Sequence, residues 1–167
     1  MRQEPAEGVT QLLRRARFAG QELDLPRLVA DAANAADTVE GIDVAAHVPY
    51  GVGRVLEREA PLTLDLPSGR TARIEYLEDG GVAVSVKVQE LFGLADSPRL
   101  GPHRTAVTFH LLAPNGRPVQ TTRDLRSFWE RMYPEVRKEL RGRYPRHPWP
   151  EDPWVAKPTH RTLKQPK

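Results

Sequence analysis

Five cationic side chains, Arg137, Lys138, Arg141, Arg143 and Arg146, fall within ten residues and run into Tyr144, His147 and Trp149, with Trp154 close behind. Guanidinium and ammonium groups neutralise phosphates, and aromatic faces accept stacked bases. The pattern therefore has the chemistry of single-stranded RNA or DNA binding. The set Arg137, Lys138, Arg141, Arg143, Tyr144, Arg146, His147 and Trp149 is the candidate nucleic-acid-binding surface. A structural reading stands beside it: Tyr144 and Trp149 clamp this segment onto the domain, because large aromatic rings in ordered segments mostly pack. Four prolines within 145–154 hold the segment extended and polyproline-like.

Other chemistry is poorly provided for. No GxxxxGK[ST] loop, DExH-type acidic motif or GxSxG elbow occurs, so this chain alone is not expected to hydrolyse a nucleotide. His47, His103, His110, His147 and His160 never stand three or four apart, so a metal site would need ligands from separate elements. The carboxylate pairs Glu57/Glu59, Glu78/Asp79 and Glu151/Asp152 have no apolar frame to raise a pKa. The expectation is no catalytic residue, no cofactor and no metal.

Charge agrees with a binding role. The net +3 is uneven: residues 1–122 carry 13 Lys/Arg against 16 Asp/Glu, and residues 123–167 carry 12 against 6. A basic end on a mildly acidic body suits a polyanion or an acidic protein surface, while a solvated basic tail is the plain alternative. There are no cysteines, which excludes disulfides and thiolate metal sites and fits a reducing compartment. Without a signal-peptide pattern or an apolar run near the ~18 residues of a span, no membrane is expected and the location reads as cytoplasmic.

These side chains must be positioned by the elements around them. Thr121 opens a helix: Leu125, Phe128, Trp129, Met132, Tyr133, Val136 and Leu140 make one apolar stripe at 3.6-residue spacing. Thr121-x-x-Asp124 reads as its capping box. Pro134 predicts two helices, 123–133 and 134–141, or one sharp kink. Upstream, LTLDL and RTARIEYL alternate around a Pro67-Ser-Gly69 turn and form a hairpin over 62–77. Val82–Val88 is the cleanest strand, and 106–112 and 117–121 supply a fourth and a short fifth. Residues 9–37 read as two helices separated at Gly20, with Asp24 capping the second and Pro26 in its first turn. The fold class is α+β: an antiparallel sheet of four to five strands covered by C-terminal helices, with a helical N-terminal part over 1–60. The α+β domain spans 61–154, and 155–167 reads as a disordered basic tail.

The blocks LTLDLPSGRTARIEY (62–76), VAVSVKVQELFGLADSPRLG (82–101) and HLLAPNGRPVQTTRDLRSFWERMYPEVRKELRGRYPRHPWPEDP (110–153) resemble the C-terminal domain of the bacterial DEAH-type helicase HrpB family. The likeness covers about residues 50–155, with a looser match over the first 45. Its motif positions are Gln89, Glu90, Phe92, Gly93, Arg117, Asp124, Trp129, Tyr133, Arg137, Gly142, Arg143, Tyr144, Pro145, His147, Pro148 and Trp149; Ala113 stands where the family often has serine. The resemblance implies an accessory domain beside an RNA helicase, as a fragment or a separately encoded copy. It does not carry over the ATPase chemistry of the family's two RecA-like domains. Two functions follow as expectations: RNA or single-stranded nucleic acid held on the 137–149 surface, or a protein-interaction module in which Pro145–Trp154 docks on the helicase core or another protein.

Overall fold

The computed structural model describes residues 4–162. Helix α1 (Glu4–Phe18) buries Leu12 and Ala16, one turn apart. It ends where Gly20 takes φ 72°, letting Gly20 N–H reach the Arg17 carbonyl and Gln21 N–H the Ala16 carbonyl. That double closure needs a left-handed residue, which glycine adopts without a Cβ clash. Helix α2 (Leu25–Ala35) begins on Asp24, whose carboxylate accepts the Arg27 N–H at 3.2 Å, with Pro26 in the first turn as the sequence predicts. Two 3-10 turns, Val39–Gly41 and Ala45–His47, lead to helix α3 (Tyr50–Glu59), which starts after Pro49. Gly51 and Gly53 lie in its first turn.

The chain falls into two compact units. The first gathers residues 1–62, 75–81 and 100–105, and the second 63–74, 82–99 and the chain from 106 onward. A single cut near residue 60 does not describe this, because two short excursions return to the first unit. The reason is visible at Tyr76. The Gln11 side-chain amide accepts its N–H at 2.9 Å and donates to its carbonyl at 3.0 Å, acting as a substitute strand partner. The Tyr76 hydroxyl donates to the Pro61 carbonyl at 2.6 Å, and Arg15 Nε donates to the Ala60 carbonyl at 2.9 Å.

Seven strands follow the helices: β1 (Thr63–Asp65), β2 (Thr71–Tyr76), β3 (Val82–Lys87), β4 (Arg99–Leu100), β5 (Thr105–Ala106), β6 (Thr108–Leu112) and β7 (Pro118–Thr122). Five form one sheet in the order β1-β2-β3-β6-β7, and β4 pairs with β5 separately. The fold is α+β, with the expected five strands, but the sheet is mixed. β1 and β2, and β6 and β7, are antiparallel, whereas β3 and β6 run parallel, Val84 opposite Phe109 and Val86 opposite Leu111. An all-antiparallel sheet is thereby corrected. The connection over 88–107 is long enough to carry the chain back before β6 starts, as a parallel crossover requires. Val82, Val84, Val86, Phe109 and Leu111 are buried on these two central strands, and Val107 just before β6 is buried with them.

The C-terminal helix comes in three pieces: α4 (Leu125–Ser127), a π-turn (Phe128–Met132) and α5 (Tyr133–Arg143). Asp124 caps it by accepting the Ser127 N–H at 3.0 Å. Thr121 does not cap it; its hydroxyl meets His110 Nδ1 at 3.1 Å, across the β6–β7 pair. The π-turn is how the helix tolerates Pro134. Tyr133 N–H bonds to the Phe128 carbonyl five residues back, and the proline then occupies the first turn of α5, where its missing N–H breaks no bond. The extra residue rotates Met132 outward to 43% exposure, so it leaves the expected apolar stripe. Leu125, Phe128, Trp129, Tyr133, Val136 and Leu140 stay buried.

Trp129 and Tyr133 meet Phe92 on one side and Phe128 on the other in an aromatic cluster; Phe92 is 5.9 Å from both Trp129 and Tyr133, and the pairs are mostly edge-on. Trp129 Nε1 donates to the Leu94 carbonyl at 2.7 Å. Beyond α5, Gly93 N–H donates to Pro153 and Thr159 N–H to the Gln89 carbonyl at 3.0 Å. A disordered tail from 155 is therefore not what the backbone does as far as Thr159; residues 163–167 lie outside the described residues.

Candidate nucleic-acid interface

The last turn of α5 and the segment after it decide which predicted residues face solvent. Lys138, Arg141, Arg143 and Arg146 are exposed, and none makes an ion pair among the described residues. Lys138 and Arg141 stand three apart on the helix and so share a face. Cations at this end also suit the negative end of the helix dipole.

Arg137 and Trp149 turn inward instead. Trp149 is 7% exposed, and its Nε1–H donates to the Tyr144 carbonyl at 2.8 Å. Arg137 Nε donates to the Trp149 carbonyl at 2.8 Å, and its guanidinium lies 3.9 Å from the Glu151 carboxylate. The Tyr144 carbonyl also accepts the His147 N–H, so residues 144–149 close into a turn in which the His147 ring lies edge-on to Tyr144 and tilted against Trp149. Burial, then the nearby Lys87 cation, hold the His147 pKa below its ordinary value. His147 consequently presents a neutral ring at neutral pH.

Tyr144 is half-buried and lies at the rim of a notch of about 230 Å³. The notch brings Arg143 and Tyr144 together with Arg117 from the β6–β7 turn, and Glu139 shares the rim. Arg117 was not among the predicted site residues, although it is a motif position of the resembled family. Only the folded β6–β7 hairpin carries it to the end of α5. Among the described residues, no cluster of three or more His, Asp or Glu could hold a metal ion, and no helix is long and apolar enough to cross a membrane.

The segment from the buried Gln89–Glu90 turn to the prolines after α5 lies within a longer stretch that matches known proteins. Residues 29–153 fit the HrpB family model described as ATP-dependent helicase C-terminal. The chain belongs to the HrpB C-terminal family. The ATP-dependent RNA helicase HrpB of Escherichia coli (strain K12) is 44% identical over 115 residues, which cover 69% of this chain and 14% of that protein. The crystal structure of the E. coli DExH-box NTPase HrpB superposes with a TM-score of 0.77 at 32% identity, over 92% of this chain and 22% of that one. A second crystal structure, of the E. coli DEAH/RHA helicase HrpB, gives a TM-score of 0.61 at 30% identity over 84% and 20%. The chain thus spans about a fifth or less of the HrpB proteins it matches.

Proposed function

We propose that this HrpB C-terminal domain is a non-catalytic accessory module that holds single-stranded RNA beside a helicase core in the cytoplasm. The observation that carries the reading is the exposed quartet Lys138, Arg141, Arg143 and Arg146, in the second half of α5 and just beyond it, with no carboxylate partner among the described residues. Arg117 and Arg143 at the notch add a place where a phosphate meets two guanidiniums beside an aromatic ring. The competing reading, protein docking through Pro145–Trp154, has its strongest anchor ring buried within this domain.

Fluorescence anisotropy with a labelled single-stranded RNA tests it. Four phosphate contacts give log K falling against log salt with a slope of about −3. Changing Arg141, Arg143 and Arg146 together to Ala removes about 2 units of that slope and most of the affinity at low salt. Unchanged binding in the triple variant, or binding indifferent to salt, overturns the proposal.

A further inference from the structure

A second concavity, unrelated to the α5 surface, lies wholly within the first unit. Its volume is about 170 Å³. Pockets for drug-sized ligands run roughly 300–1,000 Å³, so this cleft suits one side chain and not a whole cofactor. Arg14 and Arg17, three apart on α1, share one wall, joined by His103 from the β4–β5 turn. Phe18 and Leu77 supply the apolar part, and Glu78 lies on the rim.

The apolar wall is preset. The Phe18 ring packs edge-on to Tyr76 at 5.1 Å. On another side Gly101, at φ 77°, approaches so closely that a Cβ there would stand 2.5 Å from Phe18 Cε1. The charge is equally defined. Arg17 is exposed and has no ion pair among the described residues, and Arg14 shares one guanidinium nitrogen with the Tyr76 carbonyl at 3.5 Å. Two guanidiniums match a carboxylate or a phosphate equally well. Phe18 and Leu77 separate these ligands: a peptide carries an apolar side chain next to a carboxylate and fills both parts of the cleft, whereas a phosphodiester backbone has no aliphatic group for that wall.

We propose that this cleft is a docking site for a short acidic segment of a partner protein, which seats one apolar side chain on Phe18 and Leu77 and a carboxylate on Arg14 and Arg17. The inference does not rest on the RNA reading, since no residue is shared between the two sites.

The test uses the full chain, amide chemical shifts, and a capped pentapeptide with one leucine between pairs of aspartates. The amides of Glu78, Gly80 and His103 are expected to shift. A counterpart with lysines replacing the aspartates leaves them unmoved, and so does one with glycine replacing the leucine. Arg17→Glu, at an exposed position, weakens the aspartate peptide about tenfold or more while the rest of the spectrum stays dispersed. Arg17→Lys retains part of the affinity. Equal shifts from the lysine peptide, no shifts at millimolar peptide, or full affinity in Arg17→Glu overturns the proposal. Single-stranded RNA that moves these same amides overturns it too, without touching the outcome for Arg141, Arg143 and Arg146.

Discussion

Arg137 Nε donates to the Trp149 carbonyl at 2.8 Å, so helix α5 holds the segment that follows it by one of its own cations. Sequence spacing puts Arg137 among the phosphate ligands, yet this bond gives it a structural task. A hydrogen bond from a charged donor contributes about 1.5–3 kcal/mol when partly buried, and Arg137 keeps 21% side-chain exposure. Arg137→Ala should therefore lower stability by about 2 kcal/mol in denaturant unfolding. Its effect on RNA affinity should be smaller than that of Arg141→Ala. Arg137→Lys should recover little, because an ammonium lacks the planar fork that reaches the carbonyl and Glu151 together.

Tyr133 offers a second measurement. Its hydroxyl donates to the Pro150 carbonyl at 2.7 Å from within the aromatic cluster, and burial raises the phenol pKa despite the nearby Arg137. The folded chain then keeps a proton that the unfolded chain releases near pH 10. Stability contributed by this group is complete below pH 10 and falls as pH rises above it. Tyr133→Phe should cost about 1 kcal/mol at neutral pH by leaving the Pro150 carbonyl unbonded. It should also flatten the alkaline decline, which thermal unfolding between pH 8 and 11 reads directly.

Much of the architecture is legible from residue periods. The alternation in Val82–Val88 marks a strand, and Asp24-x-Pro26 marks a helix start. Local pattern cannot say which strand lies beside which, so the parallel β3–β6 pair is invisible until the crossover is folded. Met132 fits a 3.6 period, and only the π-turn that accommodates Pro134 moves it out. At the site, the exposed cations are legible because charges seldom bury. The inward turn of Arg137 and Trp149 is not, because it depends on a bond across twelve residues.

Gln89 and Glu90 are adjacent, both buried, and should respond in opposite ways. Neither side-chain amide atom of Gln89 has a hydrogen-bond partner among the described residues. The Glu90 carboxylate accepts from Ser68 Oγ at 3.2 Å and faces Arg70 at 3.7 Å. A buried polar group without a partner costs about 1–3 kcal/mol. Gln89→Met, which keeps the volume, should be neutral or stabilising by about 1 kcal/mol. Glu90→Ala strands Ser68 in a partly buried position and opens a cavity, and should cost about 2 kcal/mol. Paired melts of the two variants check the contrast, and a destabilised Gln89→Met would show that the amide is bonded in solution.

His147 separates structure from binding at the interface itself. Its imidazole faces Lys87, Tyr144 and Trp149, and burial with the Lys87 charge depresses its pKa. As pH falls through about 6.5 the unfolded chain takes up a proton that the folded chain resists. The unfolded state then binds more protons, so stability is complete above that pH and is lost as pH falls toward the depressed folded value. Thermal unfolding from pH 8 to 5 should show a loss that His147→Gln reduces, relative to its own midpoint at pH 8. Because the ring is neutral at pH 7.5, the same substitution should leave the salt slope of RNA binding unchanged there. A slope reduced by the His147→Gln change would instead make the imidazole a phosphate ligand and count it with Arg141 and Arg143.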